Sequence, residues 1–474
     1  MTIRTKIVAT IGPASNDPEM LEKLVTAGVN VARLNCSHGN YQTHSEAIRN
    51  IRSVSRRLNR SVAILLDLQG PKIRVGSLEN GEPIHLKRNA PLAITVNPML
   101  GTLQMISTTY QNLPLDVQPG DTILLDDGLI RLQVESKTRD TVHCKVINGG
   151  LLKEKKGINL PGVKVSAPSL TEKDIRDVTF GIKNGVDYLA LSFVRTAEDL
   201  GTIKAILQRQ GAAIPVIAKI EKPEAVQNLA AILDAADGIM VARGDLGVEM
   251  QPELVPIIQK NIIAAAVLKN KPVITATQML ETMCVNPIPT RAEASDVANA
   301  IFDGTDAVML SAETASGKYP LKAVRIMVKI AEQAERSSFL KVNIHYDSDL
   351  VDPITHAVAQ SAVNILQEVD ARCIIAFSVS GSTSKQISKQ RPSKPVYAFS
   401  SRMDTYNRLS LLWGITPMYI ANIENAARLV EASERLLLAK NAIQKGDLVV
   451  LVIGMGLKAG STNMIKLHRV GHED

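Results

Sequence analysis

Aromatic residues make up only 3% of this 474-residue chain, and tryptophan occurs once. So few rings leave little surface for stacking bases. The formal net charge of +7 is spread out rather than gathered in a basic tail or block, so a nucleic-acid partner is not expected. Cysteine is scarce as well. Cys36, Cys144, Cys284 and Cys373 are scattered and form no CxxC pair, which argues against a disulfide framework or a zinc site and fits reduced thiols in a cytoplasmic protein. No apolar run approaches the ~18–20 residues of a membrane span, so no membrane partner is expected. The opening MTIRTKIVATIGPAS enters a strand-like pattern at once, without the apolar core and cleavage site of a secretory leader. The usual nucleotide loops, GxxxxGK[ST] and GxGxxG, are missing. VIGMGLKAG at 452–460 has the spacing GxGxxxG and reads as a glycine-rich loop.

What is present is a repeated β-then-α pattern. IRTKIVATIG, VNVARLN and VAILLDL are strand candidates before residue 70. Between them lie the helix DPEMLEKLVTAG, closing on Gly28, and a helix over 40–58. The pattern resumes with LTEKDIRDVTFGIKNG, where Thr171 caps an amphipathic helix that ends at Gly185. VDYLALSF, PVIAKIE, DGIMVAR, KPVITAT and DAVMLS follow, separated by helical segments, with a last helix over about 320–336. Eight such units on near-continuous apolar strands are the signature of a (β/α)8 TIM barrel; on pattern alone a doubly wound open sheet stays open. Residues 71–167 differ: Gly- and Pro-rich turns separate the short alternating strands TILLD, IRLQVES and TVHCKVI. They read as a small β-barrel cap domain inserted into the barrel. After residue 344 come a helix, the strand ARCIIAFSVS, a helix, the strand KPVYAFS, two helices, the strand DLVVLVIG and a final strand. The expected class is therefore α/β, with a barrel over 1–70 and 168–344, a cap over 71–167 and a C-terminal α/β domain over 345–474.

In such a barrel, function gathers at the C-terminal ends of the strands. The second strand ends in Arg33 and Asn35, followed by Ser37 and His38; the third ends in Asp67 and the fourth in Ser192 and Phe193. The fifth ends in Lys219 and Glu221, the sixth in Arg243, Gly244 and Asp245, the seventh in Thr275 and Thr277, the eighth in Ser311 and Glu313. Any one of these could be a solvated turn or a helix cap. Their repetition at the same end of seven strands points to one polar rim. Glu221 and Asp245, from adjacent strands, suit a hard divalent cation, Mg²⁺ or Mn²⁺, completed by substrate oxygens and water. Lys219, Arg33 and Arg74 supply positive charge that calls for a substrate bearing phosphate, carboxylate or both. Phosphoryl transfer needs mainly positioning and charge neutralisation, which this set offers.

The motifs RTKIVATIGPAS, NVARLNCSHG, LLDLQGPKIRVG, KKGINLPG, AKIEKPEA, GIMVARGDLGVE, VITATQMLETM and PTRAEASDVANAIFDGTDAVMLSAET, in this order over nearly the whole chain, resemble those of the pyruvate kinase family. The resemblance implies a barrel, a β cap after its third strand, a C-terminal effector domain and a homotetramer. It implies the last step of glycolysis, in which phosphoenolpyruvate and ADP give pyruvate and ATP. By position, Glu221 and Asp245 resemble the divalent-metal ligands, Lys219 the ammonium beside the transferring phosphoryl group, and Arg33 its clamp. Arg74 resembles a cation near the nucleotide phosphates. Thr277 resembles the hydroxyl of the relay that protonates the enolate. Ala242, Gly244 and Asp245 would cradle the substrate carboxylate, with Ser192 beside it. Pro13, Asn35, His38 and Lys156 resemble nucleotide contacts.

A monovalent-ion site would match Asn35, Ser37, Asp67 and the carbonyl of Leu68. Here, however, Leu68, Gln69 and Lys72 stand where potassium-dependent members commonly carry Thr, Lys and Glu, so the Lys72 ammonium is expected to replace potassium. The serine-rich turn Ser378, Ser380, Ser382, Thr383 and Ser384 runs from strand into helix. It is a candidate anion nest for a phosphorylated effector, either a sugar phosphate or AMP. A metal-dependent lyase acting on phosphoenolpyruvate or pyruvate would share the cation and the carboxylate cradle, but would need neither the cap nor KKGINLPG.

Overall fold

A computed structural model describes residues 3–340, 353–421, 425–454 and 462–472. The expected boundary at 344/345 and most of the 452–460 loop lie outside the described residues. All eight strands read from the apolar runs form, as Lys6–Thr10 (β1), Val29–Asn35 (β2), Ala63–Asp67 (β3), Tyr188–Leu191 (β4), Val216–Ile220 (β5), Gly238–Ala242 (β6), Val273–Ala276 (β7) and Ala307–Leu310 (β8). They close in the order β1-β8-β7-β6-β5-β4-β3-β2, every pairing parallel, which removes the open-sheet alternative. A closed parallel cylinder is apolar on both faces. Val8, Leu65, Ile217, Met240 and Ile274 cluster together, while Leu34, Leu66, Leu191, Ile220 and Val241 pack in a separate cluster with the surrounding helices.

The helices begin where side chains can satisfy their first free amides. Asp17 accepts from Met20 N, and capping boxes form at Asn40 with Thr43, Thr171 with Asp174 and Thr290 with Glu293. Each such cap contributes about 1 kcal/mol. Gly28, at φ 130°, ends the first helix, and a Cβ there would meet Val328 Cγ2 at 2.9 Å.

Between β3 and β4 the chain leaves the barrel to build a six-stranded sheet, in the order 158–159, 122–125, 130–137, 141–148, 91–95, 105–107, beside a ribbon of 84–86 with 150–152. Single bridges Arg74↔Gly157 and Val75↔Thr108 tie the segment 74–75 to residues next to its two outer strands. The three strands read from the sequence appear as expected; the others carry too little alternation to be legible.

The C-terminal sheet is ordered Ile415–Tyr419, Val396–Ser400, Ile374–Phe377, Leu448–Gly454, Thr462–Arg469, with only the last pairing antiparallel. Ile415–Tyr419 corrects the expectation of two successive helices. Pro417 hides the strand in the sequence, and it is tolerated because the strand lies at the sheet edge. This domain seals the N-terminal end of the barrel. Lys6 Nζ donates to the Ile415 carbonyl at 2.6 Å and Tyr188 OH to the Arg408 carbonyl at 2.9 Å, and Leu411 joins the cluster of Val8 and Ile217. The opposite rim is left to the cap.

Candidate active site

Asp67, at the end of β3, is the hub of the rim. Its Oδ2 takes both Nε and Nη2 of Arg33 at 2.7 Å, and its Oδ1 lies 3.2 Å from Lys219 Nζ. Arg33 Nη1 also donates to Thr10 Oγ1 at 2.9 Å. Lys219 Nζ donates to Ser192 Oγ at 2.7 Å and sits 2.8 Å from Glu221 Oε1; Ser192 Oγ in turn donates to the Leu68 carbonyl at 2.6 Å. Glu221 Oε2 accepts from Phe193 N at 2.8 Å. Five strand ends thus hold one buried network. Burial works against the charge of Asp67, but Lys219 and Arg33 outweigh it and hold its pKa below the usual range. Burial likewise opposes the Lys219 charge, and Asp67 and Glu221 reverse that, raising its pKa. The Glu221 carboxyl is pushed up, first by burial and also by the neighbouring Asp245 charge, against the pull of Lys219. Sequence reasoning assigned Asp67 only to a monovalent-ion site and missed its part in fixing Arg33 and Lys219.

Just after β7 the backbone is strained. Thr277 has φ 67° and Gln278 φ 54°, the left-handed region that a β-branched residue avoids at a cost of about 1–3 kcal/mol. Arg243 holds this turn. Its Nη2 donates to the Thr277 carbonyl at 2.6 Å, and its Nη1 pairs with Asp296 at 2.6 Å. The Arg243 side chain is thus a support for the turn, although the sequence pattern grouped it with the rim charges. Thr277 Oγ1 accepts from Gly244 N at 2.7 Å and donates to the Ala276 carbonyl at 2.6 Å. Gly244 and Asp245 are half-buried, while Ala242 is buried at the end of β6. Glu313 is also a support: it accepts from Ser311 N at 2.7 Å and Leu280 N at 3.2 Å.

The remaining candidates flank the cap. Pro13 and His38 are exposed after β1 and β2; Asn35 Oδ1 accepts from Ser37 N at 3.0 Å. Partial burial, followed by the cations Arg74, Lys72 and Arg33, lowers the His38 pKa. Arg74 Nη1 donates to the Lys155 carbonyl at 2.9 Å. Lys156 Nζ pairs with Asp126 at 2.8 Å on the cap itself. Lys72 is half-buried and lines a cleft with Asn159, Phe193, Lys222 and Asp245.

Two family models match the chain: "Pyruvate kinase, barrel domain" over residues 2–324 and "Pyruvate kinase, alpha/beta domain" over 356–468. Pyruvate kinases of Staphylococcus aureus strains USA300 and NCTC 8325 / PS 47 are each 47% identical over 478 aligned positions, covering 99% of this chain and 81% of theirs. The crystal structure of a pyruvate kinase from Cryptosporidium parvum superimposes with a TM-score of 0.90 at 37% identity, over 99% of this chain and 96% of that one. The chain belongs to the pyruvate kinase family. It is accordingly an enzyme of the phosphotransferase class.

The rim fits the divalent metal that pyruvate kinases require. Glu221 Oε1 is buried and accepts no hydrogen bond of good geometry beyond its ion pair with Lys219, and Asp245 is close enough to perturb it. Among the described residues no group of three or more His, Cys, Asp or Glu forms a complete metal cage. Two carboxylates that leave most positions to water suit a hard divalent cation. No described helix is long and apolar enough to cross a membrane.

In the serine-rich turn, Ser380 and Ser382 are exposed, whereas Ser378, Thr383 and Ser384 are buried. Ser378 Oγ accepts from Gly381 N at 3.0 Å, capping the turn that opens the helix Ser382–Lys389.

Proposed function

We propose that this enzyme transfers the phosphoryl group of phosphoenolpyruvate to ADP, giving pyruvate and ATP in the last step of glycolysis, at the rim centred on Lys219, Arg33, Glu221 and Asp245. The observation that carries the proposal is the shared network at Asp67, which holds a guanidinium and an ammonium side by side next to a carboxylate pair. Glu221 and Asp245 would hold the divalent cation, which when bound supplies positive charge to phosphoryl and enolate oxygens. Lys219, kept protonated by its two carboxylate neighbours, offers its ammonium to the same developing charge. Arg33, fixed by Asp67 and Thr10, presents its remaining N–H groups to the phosphoryl oxygens. The backbone at Ala242, Gly244 and Asp245 would cradle the substrate carboxylate, with Ser192 holding Lys219 in place.

In the reaction the bond from phosphorus to the enol oxygen breaks and one to a β-phosphate oxygen of ADP forms. The enolate carbon then takes a proton delivered through the Thr277 hydroxyl. Thr277 Oγ1 now accepts the Gly244 N–H. A bound carboxylate can take over that donor and free the hydroxyl to move a proton. Pro13, Asn35, His38, Arg74 and Lys156 would face the nucleotide, and cap closure excludes water that would otherwise receive the phosphoryl group.

The division into barrel, cap and C-terminal domain at 1–70 with 168–344, 71–167 and 345–474 belongs to the same proposal, as do cytoplasmic location and potassium independence through Lys72. The exposed turn at Ser380 and Ser382 would bind a phosphorylated effector. Assembly as a homotetramer belongs to the same proposal. The test is a coupled assay for pyruvate. Formation that requires both phosphoenolpyruvate and ADP supports kinase chemistry; product that appears without ADP supports the lyase reading.

A further inference from the structure

Lys222 follows the candidate metal ligand Glu221 directly, and its ammonium is held by Glu249. Lys222 Nζ meets Glu249 Oε1 at 2.6 Å. The same oxygen accepts from Asn159 Nδ2 of the cap at 2.8 Å. Glu249 is the last residue of the helix Arg243–Glu249, four residues beyond Asp245 and so on the same side of it. Its side chain is 1% exposed, so its charge has little help from water and depends on these partners. Lys222 also lies 5.9 Å from the centroid of the Phe193 ring, and Phe193 N is the donor to Glu221 Oε2. Phe193 itself has φ 54°, a conformation held by its surroundings.

These contacts form a closed circuit. It joins the loop that carries Glu221, the helix that carries Asp245, the turn that orients Glu221 and the cap strand Ile158–Asn159. A single buried carboxylate oxygen is where the circuit meets. We infer that Glu249 is a positioning residue: through Lys222 it sets the spacing of the Glu221–Asp245 pair, and through Asn159 it registers the cap against that pair. One buried carboxylate oxygen then serves the cation pair and the cap by two separate arms. This rests on the proposed roles of Glu221 and Asp245 in cation binding and of the cap in nucleotide binding.

The two arms can be cut separately. Lys222→Met removes the arm to the Glu221 loop, and Asn159→Ala removes only the arm to the cap. Mn²⁺ binding is read by titration calorimetry on the whole protein, and KM for ADP and kcat by steady-state rates, with thermal melting alongside. Lys222→Met and Glu249→Gln are expected to weaken Mn²⁺ binding by about tenfold, the scale of one charge-assisted hydrogen bond. The double variant is expected to be no weaker than either single one, because both cut the same link. Asn159→Ala is expected to raise KM for ADP several-fold with Mn²⁺ binding unchanged. Unchanged Mn²⁺ binding in folded Lys222→Met, or additive losses in the double variant, overturns the inference. Glu221→Gln separates the two levels: if it too leaves Mn²⁺ binding unchanged, the site assignment fails, whereas if it abolishes binding while Lys222→Met does nothing, only this inference fails.

Discussion

Lys219 and Glu221 stand two residues apart, and their charged ends meet, Nζ lying 2.8 Å from Oε1. An apolar strand that ends in an ammonium and a carboxylate on one side is explained by the third partner, Asp67, 3.2 Å from the same ammonium. The Lys219 charge is neutralised before any substrate arrives, so it can be buried. An anionic substrate and a cation can then enter without leaving an isolated charge in a dry site.

His38 should titrate below the ordinary histidine value of 6.5, because partial burial and then Arg74, Lys72 and Arg33 disfavour its charged form. The folded pKa lies below the unfolded one, so this group's contribution to stability is present above about pH 6.5 and is lost as pH falls through the folded value. NMR of the His38 ring should show the low midpoint in the free protein and an upward move when ADP is added. A midpoint at or above 6.5 in the free protein contradicts the assigned surroundings.

Lys72 carries the potassium question. Activity in buffer free of sodium and potassium should match that with potassium added, and Lys72→Glu should create a requirement for the ion. A many-fold rise on adding potassium to the unaltered enzyme contradicts the substitution of ammonium for ion.

Thr277 is proposed to move a proton and not the phosphoryl group. Thr277→Ala should slow exchange of pyruvate methyl protons with D₂O by about 10²-fold, at the lower end of a general acid–base contribution. Exchange at the original rate would remove the hydroxyl from the relay.

Lys389 and Asp306 join the C-terminal domain to the barrel floor, Nζ to Oδ2 at 2.6 Å with both side chains 0% exposed. Burial lowers the Lys389 pKa to about 8 in spite of Asp306. Loss of one partner from a buried pair costs about 3–5 kcal/mol. Asp306 also pairs with the buried Arg391 at 3.1 Å, so removing it strands two buried cations; urea unfolding of Asp306→Asn should show a loss of this size, and a loss under about 1 kcal/mol, the range of exposed pairs, would contradict the burial.

The eight barrel strands were legible because parallel strands buried on both faces are nearly unbroken apolar runs, as in VAILLDL. Ile415–Tyr419 was not, since Pro417 breaks the strand signal and only its place at the sheet edge makes it tolerable. The rim residues could be named from their position after each run. Which of them face the centre could not: Arg243 and Glu313 share that position with Lys219 but turn to backbone groups of the loop after β7. Asp67 shows the same limit. Its residue type and place were visible, but the pairing of its two oxygens with Arg33 and Lys219 depends on the closed barrel order, which sets β2 on one side of β3 and β4 then β5 on the other. Glu249 left no readable signal, because its partners Lys222 and Asn159 come from separate parts of the chain.

The central claim is that the Lys219 ammonium stabilises the charge that develops as the phosphoryl group leaves. Single-turnover phosphoryl transfer from phosphoenolpyruvate to ADP, compared between the enzyme and folded Lys219→Met, tests it most directly. Loss of one such preorganised donor should slow the step by about 10²–10³-fold, on the order of 3 kcal/mol. Transfer at an unchanged rate would contradict the account.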